Sequence, residues 1–398
     1  MFPDDEALKT HTDILFTFDF PPMGGGIARW MEALATSHPS GTLVVSTGAV
    51  PGSQDFDAGC VSRIDRIAVS ASRLRTIPGL AAWSHRAIRL ASSPTVRFAW
   101  CGNVRPAIYP AFAAHRRRGL PFGVIVHGGD LLTLRERMRA GRWKRHLLRR
   151  MMGASSVFVA NSSWTARACR DLLAELDIDA DVRVVPPGTD PERFRPDRSA
   201  GDRFRVSRAL PAGWWLVTVA RLVPHKGIDT ALHAVAELAS SRPDLHYAVI
   251  GRGDDLGRLE HLAEELGIRD RVQFLTDVSD AELPSAYAMG DIYVGLSREH
   301  GIEVEGFGIA LLEAAATGLP VVAGRSGGTS DAVEDGVTGR LVDPLSAAEA
   351  ARTISSLLDD PEHAARLGLA GRERVIAELT WDAVVARLRS LGEEFGRQ

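Results

Sequence analysis

Short runs of apolar residues alternate with segments of helical apolar spacing along most of the chain. In the first half the runs fall at 14–18, 43–46, 64–69, 96–100, 122–126, 157–160 and 182–185. A second series starts at 215–219 and continues at 247–250, 272–275, 292–295 and 320–323. Such unalternating runs are the pattern of strands buried on both faces, and strands alternating with helices predict parallel sheets covered by helices. The two series are separated by PPGTDPERFRPDRSAGDRFRVSRALPAG, whose Pro, Gly and charge read as an interdomain linker. The expected fold is therefore α/β, with two Rossmann-like domains facing across a cleft and ligands at the carboxyl ends of the strands. The first domain is expected over residues 1–192, the linker over 193–212 and the second domain over 213–379. The final segment, 380–398, has helical spacing of Val384, Val385, Leu388 and Leu391.

Composition narrows the class. A length of 398 residues suits two domains, and 45% hydrophobic with 24% charged residues suits a globular protein. No stretch approaches the ~20 apolar residues of a membrane span. The N-terminus, MFPDDEALKTHTD, is polar and acidic, unlike a secretory signal, so a cytoplasmic location is expected. Cys60, Cys101 and Cys169 are scattered without CxxC spacing and suggest neither a disulfide framework nor a zinc site. The net charge of −3 excludes nothing by itself, and no nucleic-acid partner is expected. Lys9, Lys144 and Lys226 are the only lysines among 47 basic residues, which makes each lysine worth inspecting.

The strongest chemical motif is Glu305-Gly-Phe-Gly-Ile-Ala-Leu-Leu-Glu313, followed by AAATGLPVVAG. Gly306 and Gly308 allow close backbone approach to a ligand at the start of a helix, where free N–H groups hold partial negative charge. Glu313, two turns in, is placed to accept two hydrogen bonds from a vicinal diol. Arg221-Leu-Val-Pro-His-Lys226-Gly227 directly follows the first strand of the second domain. An Arg fork and a compact Lys charge there suit a diphosphate that gains negative charge as it departs. Gly251-Arg-Gly253 follows another strand but lacks the third glycine of a dinucleotide fingerprint, so a structural turn is an equal reading. In the first domain, Gly24-Gly25-Gly26 precedes a helix, again allowing close approach of phosphate or sugar. His127-Gly128-Gly129-Asp130 stands at the carboxyl end of an apolar strand.

The Glu-x7-Glu element with its flanks resembles that of the GT-4 family of retaining glycosyltransferases, which have the GT-B fold. The resemblance extends over most of the chain and is most specific in the C-terminal half. It implies that Glu305 contacts a donor sugar near its reacting carbon, that backbone N–H groups of Phe307, Gly308 and Ile309 also meet the sugar, and that Glu313 holds the ribose. It places Arg221 and Lys226 on the diphosphate, the loop of Gly251 at the donor, and Val278 in the segment that reads the base. Gly25 and Gly26 then face donor and acceptor, His127 contacts the donor sugar, and Asp130 orients it or touches the acceptor. The C-terminal helix is implied to pack back on the first domain. SREHGIEVEGFGIALLEA is similar to bacterial mannosyltransferases that use GDP-mannose and a phosphatidylinositol-type lipid acceptor.

No metal site is expected. The DxD spacing in DIDAD, Asp177 to Asp181, reads as a solvated turn before a strand, and no His/Cys/Asp cluster has ligand spacing. A metal-independent transferase without a cofactor is thus expected, acting on a nucleotide-diphosphate sugar and a lipid or glycan acceptor. The rival readings are a GT-B-like nucleotide-sugar epimerase, a nicotinamide oxidoreductase and a catalytically silent nucleotide-sugar-binding subunit. Residues 135–150 hold Arg135, Arg137, Arg139, Arg142, Lys144, Arg145, Arg149 and Arg150 against one acid, Glu136. Leu134, Met138, Trp143, Leu147 and Met151 recur among them at roughly helical spacing, and Gly141 interrupts the pattern. Basic residues mixed with Trp, Leu and Met suit a surface lying on anionic lipid, so peripheral contact with a membrane is expected here, against a core-packed helix with a solvated face.

Overall fold

The computed structural model describes residues 11–139 and 141–397, the side chains of Ala71, Arg139 and Arg142 excepted. The acidic N-terminal segment up to residue 10 therefore lies outside the described residues, as do two of the eight basic side chains of 135–150. The chain forms two compact units, one running to Val185 and resuming at Trp381, the other spanning Pro186–Thr380.

The first unit contains a parallel sheet of β1 (Thr12–Phe16), β2 (Leu43–Ala49), β3 (Arg63–Ser70), β4 (Val96–Cys101), β5 (Phe122–Val126), β6 (Val157–Ala160) and β7 (Asp181–Val184). Their order is β3-β2-β1-β4-β5-β6-β7. The second unit repeats the plan with β8 (Trp214–Val219), β9 (Leu245–Ile250), β10 (Val272–Leu275), β11 (Ile292–Gly295), β12 (Val321–Gly324) and β13 (Arg340–Val342), ordered β10-β9-β8-β11-β12-β13. Every residue of β5, β6, β11 and β12 is buried. That burial on both faces is why these strands read as plain apolar runs. In each sheet the winding reverses beside the first strand, between β1 and β4 and between β8 and β11. Such reversals leave a crevice at the strands' carboxyl ends where α/β sheets bind ligands. The architecture is GT-B, two Rossmann-like units in one chain.

One expectation needs correction. The stretch 193–212 is no linker but part of the second unit. Arg198–Ser207 is a helix whose N-terminus is capped by Asp197, which accepts the Ala200 N–H at 2.9 Å. Phe194 and Phe204 anchor the stretch in the core beside Trp215 and Tyr287. Its Pro and Arg content reflects a solvated face carried on two buried phenylalanines. The last strand, β13, lies beyond the predicted series, because three residues beginning with an arginine make no apolar run.

The C-terminal helix Trp381–Phe395 belongs to the first unit. Val384, Val385, Leu388 and Leu391 are buried with Leu15, Trp30, Phe98 and Trp100. Each fully buried aliphatic side chain of this kind contributes about 1.5–3 kcal/mol. Beneath the helix, Arg97 grips the buried Asp13 with two hydrogen bonds of 3.1 and 3.2 Å, and its Nη1 lies 3.4 Å from Glu393 of the helix. Burial nevertheless outweighs the Arg97 guanidinium and pushes the Asp13 carboxyl up. Removing Arg97 would strand Asp13 in a dry site, at a cost of about 3–5 kcal/mol.

Candidate active site

In the second unit the loops after β8 and β11 meet at the sheet's reversal point. The β8 loop ends in a short turn, Pro224–Lys226, closed by Gly227 at φ 66°. A Cβ on Gly227 would stand 1.9 Å from the Leu296 carbonyl, so only glycine lets this loop lie against the β11 loop. That approach brings Lys226 to the residues after β11. Lys226 forms an ion pair with Glu305, and the Ser297 hydroxyl donates to the same carboxylate oxygen at 3.0 Å. Burial opposes ionisation of Glu305, but the Lys226 ammonium and these hydrogen bonds prevail and hold its carboxyl below the usual range. The Arg-x4-Lys and Glu-x7-Glu motifs are thus parts of one cluster.

The cluster is braced from behind. The Arg298 guanidinium donates to both carboxylate oxygens of Asp229, at 2.8 and 2.7 Å, and its backbone N–H donates to the His225 carbonyl at 2.8 Å. His225 itself is buried, with Nδ1 3.0 Å from Glu303; desolvation and the neighbouring Lys226 lower its pKa. Arg221 is exposed on the same loop and pairs with no acid among the described residues.

The helix Ile309–Ala316 begins beside Glu305. Its N-cap is Gly308 at φ 103°, with no side-chain cap, so the first N–H groups await a partner. The Phe307 side chain is buried in the core, which leaves its backbone as the part able to meet a ligand. Glu313 is buried about one turn into this helix, and the Tyr287 hydroxyl donates to it at 2.6 Å. Tyr287 in turn stacks on Tyr293. Gly251, at φ 142°, meets a need inside the protein: a Cβ there would stand 1.9 Å from the Ala220 carbonyl. It therefore seats the β9 loop against the loop that carries Arg221. Val278 is half-buried in the loop after β10, packed on the unit's core.

In the first unit, the glycine loop after β1 leads into the helix Gly26–Ser37. Gly25 is its N-cap at φ 118° with no side-chain cap, and Gly24, Gly25 and Gly26 are exposed. The helix thus presents free N–H groups at the reversal point between β1 and β4. His127 follows β5. Its Nε2 lies 2.7 Å from the Gly102 carbonyl, and since a carbonyl only accepts, Nε2 carries the hydrogen. The ring meets Trp30 edge-on at 5.1 Å. Asp130 supports the same turn: one carboxylate oxygen accepts the N–H groups of His127 and Leu131 at 3.0 and 2.9 Å. Its second oxygen is buried without a hydrogen-bond partner. Trp30 Nε1 and the amide oxygen of Asn161, whose amide nitrogen donates to the His127 carbonyl, are likewise buried and unpartnered.

Sequence reasoning missed Ser297, Tyr287 and the Arg298 brace. Ser297 follows an apolar strand just as Arg221 does, a usable signal, but only sheet order shows that the two strands are neighbours. In DIDAD, Asp177 sits at φ 51° just past a helix and Asp181 is paired with Arg183 at 2.7 Å. Among the described residues no group of three His, Cys, Asp or Glu side chains is arranged to hold a metal ion. Cys101 and Cys169 are buried, and burial pushes the Cys169 thiol up to about 12.

Comparison with known proteins agrees with this layout. Residues 24–193 match the family described as glycosyltransferase family 4, and residues 204–374 match glycosyl transferases group 1. The GDP-mannose-dependent alpha-(1-6)-phosphatidylinositol monomannoside mannosyltransferase of Mycolicibacterium smegmatis is 32% identical over 95% of this chain and 97% of its own length. The protein of the same name from Mycobacterium tuberculosis is 30% identical over 94% of this chain and 96% of its own. Among solved structures, Anabaena HepE in complex with UDP and glucose superposes with a TM-score of 0.77 at 20% identity, covering 96% of this chain and 99% of that one. The chain therefore belongs to the family-4 glycosyltransferases and is a hexosyltransferase of the GT-B fold.

Proposed function

We propose that the enzyme transfers mannose from GDP-mannose, with retention, to a phosphatidylinositol-type glycolipid. The observation that carries the chemistry is the Lys226–Glu305 pair at the reversal point of the second sheet, beside the uncapped helix at Ile309. The donor and acceptor follow the two mannosyltransferase relatives that span nearly the whole chain.

In this reading the second unit holds the donor. Arg221 and Lys226 take the diphosphate and stabilise the charge that grows on it as the sugar leaves. Glu313 receives the ribose, the Val278 loop meets the base, and the β9 loop at Gly251 borders the donor. Backbone N–H groups at Phe307, Gly308 and Ile309 meet the sugar, whose developing positive charge Glu305 stabilises. The first unit is assigned the acceptor side, through His127, the turn held by Asp130 and the glycine loop at Gly25 and Gly26. No side chain is assigned as a covalent nucleophile, so departure and attack occur on one face of the sugar. The reaction needs no metal or organic cofactor, because Arg221 and Lys226 supply the positive charge.

Calorimetric titration with GDP-, UDP- and ADP-sugars, followed by transfer assays in EDTA, tests this reading. GDP-mannose is expected to bind tightest, and transfer is expected to continue undiminished in chelator. Preference for another base would overturn the donor. Loss of activity restored by manganese or magnesium would overturn the metal-free mechanism.

The acceptor reading implies contact with a membrane surface. Among the described residues no helix is long and apolar enough to cross one. The basic segment forms two helices, Gly129–Arg139 and Arg142–Met152. Leu134, Leu148 and Met151 are buried in the unit's core, whereas Trp143 and Leu147 stay exposed, at 67% and 36%. Arg135 pairs with Glu175 and Arg149 lies 3.8 Å from Asp177, so part of the charge is already engaged. Each free basic residue at an anionic surface contributes about 1 kcal/mol, enough for weak docking. The enzyme is expected to bind anionic liposomes at low salt and to release them as salt rises. Changing Arg142, Lys144, Arg145 and Arg149 to Gln should weaken co-sedimentation without altering nucleotide affinity. A wild type that ignores anionic liposomes at low salt would make a water-soluble acceptor the better reading.

A further inference from the structure

Two cavities of the first unit share a wall. The larger, about 420 Å³, is bordered by Arg75, Arg105, Tyr109, Asp130, Thr133 and Arg137. The smaller, about 90 Å³, is a groove bordered by Trp143, Leu147, Leu148, Met138 and Met151. Arg105, Tyr109, Leu134 and Arg137 line both, so these four mark the junction.

The charge of this junction is unbalanced. Arg66, Arg86 and Arg97 of the same unit each hold a carboxylate. Arg75, Arg105 and Arg137 pair with none among the described residues, although they border one cavity. Arg75 lies over the Phe18 ring at 4.1 Å and Arg105 over the Tyr109 ring at 5.5 Å. An aromatic face orients a guanidinium without neutralising it. Asp130 is the one acid of the lining, and its buried second oxygen lacks a hydrogen-bond donor. A site with unneutralised arginines and an unmet acceptor suits a ligand carrying both an anion and hydroxyl groups. The groove beyond the arginines is apolar and opens at exposed Trp143, with the Lys144 ammonium 5.9 Å from its ring. A tryptophan beside a cation is the pairing found at the headgroup level of membranes.

We propose that the two cavities together bind one anionic phospholipid. Its phosphodiester lies at Arg105 and Arg137, its hydroxylated headgroup fills the larger cavity toward Asp130 and Arg75, and one acyl chain enters the groove under Trp143. The order polyol, phosphate, acyl chain along such a lipid is the order of acceptor oxygen, paired arginines and apolar groove along the cavities. The headgroup end terminates at Gly129 and Asp130, the turn that carries His127. The proposal rests on the lipid-acceptor reading and assigns the residues that recognise the lipid.

The test uses dihexanoylphosphatidylinositol below its micelle concentration as calorimetric probe of the full chain. Glycerophosphoinositol, which lacks the chains, and dihexanoylphosphatidylcholine, which is zwitterionic, serve as comparisons. The inositol lipid is expected to bind about tenfold or more tightly than either, since each lacks one of the two recognised features. Arg105→Gln with Arg137→Gln should weaken it by a similar factor while leaving nucleoside-diphosphate affinity and the melting temperature unchanged. Trp143→Ala should weaken the lipid but not glycerophosphoinositol. Equal binding of the choline lipid, or wild-type binding by the double variant, overturns the proposal. Unchanged KM for a lipid acceptor in the double variant places the acceptor elsewhere and leaves the lipid-acceptor reading standing. Probe binding that depends on Arg105 and Arg137, in an enzyme that glycosylates no lipid, upholds the site and defeats that reading.

Discussion

Replacing Glu305 by glutamine is expected to lower turnover by about a hundredfold or more, with nucleoside-diphosphate affinity equal to wild type or tighter. Glutamine keeps the shape and can still accept from Ser297, so the helix start at Gly308 should stand. What disappears is a full negative charge, one that Lys226 and burial hold in a defined place. A charge of that kind matters most when positive charge develops on the sugar, which makes it a transition-state interaction more than a binding one. In the ligand-free enzyme the same carboxylate engages the Lys226 ammonium. Without it Lys226 is freer to meet a diphosphate, so affinity for GDP should not fall. Because the Glu305 carboxyl is held below its usual range, it stays ionised near neutral pH. Its contribution to folding is present above the unfolded carboxyl pKa, about 4.3, and is lost as pH falls through the lower folded value. The acid limb of the wild-type rate profile should accordingly lie below the ordinary glutamate range if Glu305 alone sets it. Single-turnover rates and GDP titrations on Glu305→Gln decide the matter, and wild-type turnover would remove Glu305 from the mechanism.

The legible parts of this fold are those where one physical cause dominates a short stretch of chain. A central parallel strand must be apolar on both faces, so β5, β6 and β11 could be bounded to the residue. Edge and surface elements obey no such constraint. β13 is three residues long, and the helix Arg198–Ser207 hides its buried Phe204 within a stretch dense in Arg and Pro. For the site, motif residues could be picked out singly, because glycines beside carboxylates and a solitary lysine stand out in an arginine-rich chain. Their relations could not. Lys226 and Glu305 are 79 residues apart, and their meeting depends on β8 and β11 being neighbours and on Gly227 touching Leu296. The segment 135–150 shows the same limit. Its apolar residues look alike in sequence, yet Leu134 and Met151 serve the core while Trp143 and Leu147 remain outside.

Lys226→Ala is expected to weaken nucleoside-diphosphate binding and to slow transfer, each by about a hundredfold, the effect of roughly 3 kcal/mol when a preorganised charge partner is lost. Two causes act in one direction. The ammonium that attracts the diphosphate is gone, and the Glu305 carboxylate it had neutralised is left partly buried with Ser297 as its one side-chain hydrogen-bond donor among the described residues. That carboxylate then repels the incoming phosphates. The double variant Lys226→Ala with Glu305→Gln removes the repulsion and should bind GDP more tightly than Lys226→Ala alone. Contacting residues in one charge network couple by about 0.5–3 kcal/mol, so the recovery should be measurable. Turnover should not recover with it, because Glu305 is then missing from the transition state. Arg221→Gln provides the contrast: Arg221 is exposed and pairs with no described acid, so its loss should weaken GDP without any rescue by Glu305→Gln. Calorimetry on the wild type, the three single variants and the two double variants carrying Glu305→Gln yields both coupling energies. Strict additivity of the Lys226 and Glu305 changes, or wild-type GDP affinity in Lys226→Ala, would show the pair to be a structural brace that takes no part in holding the diphosphate.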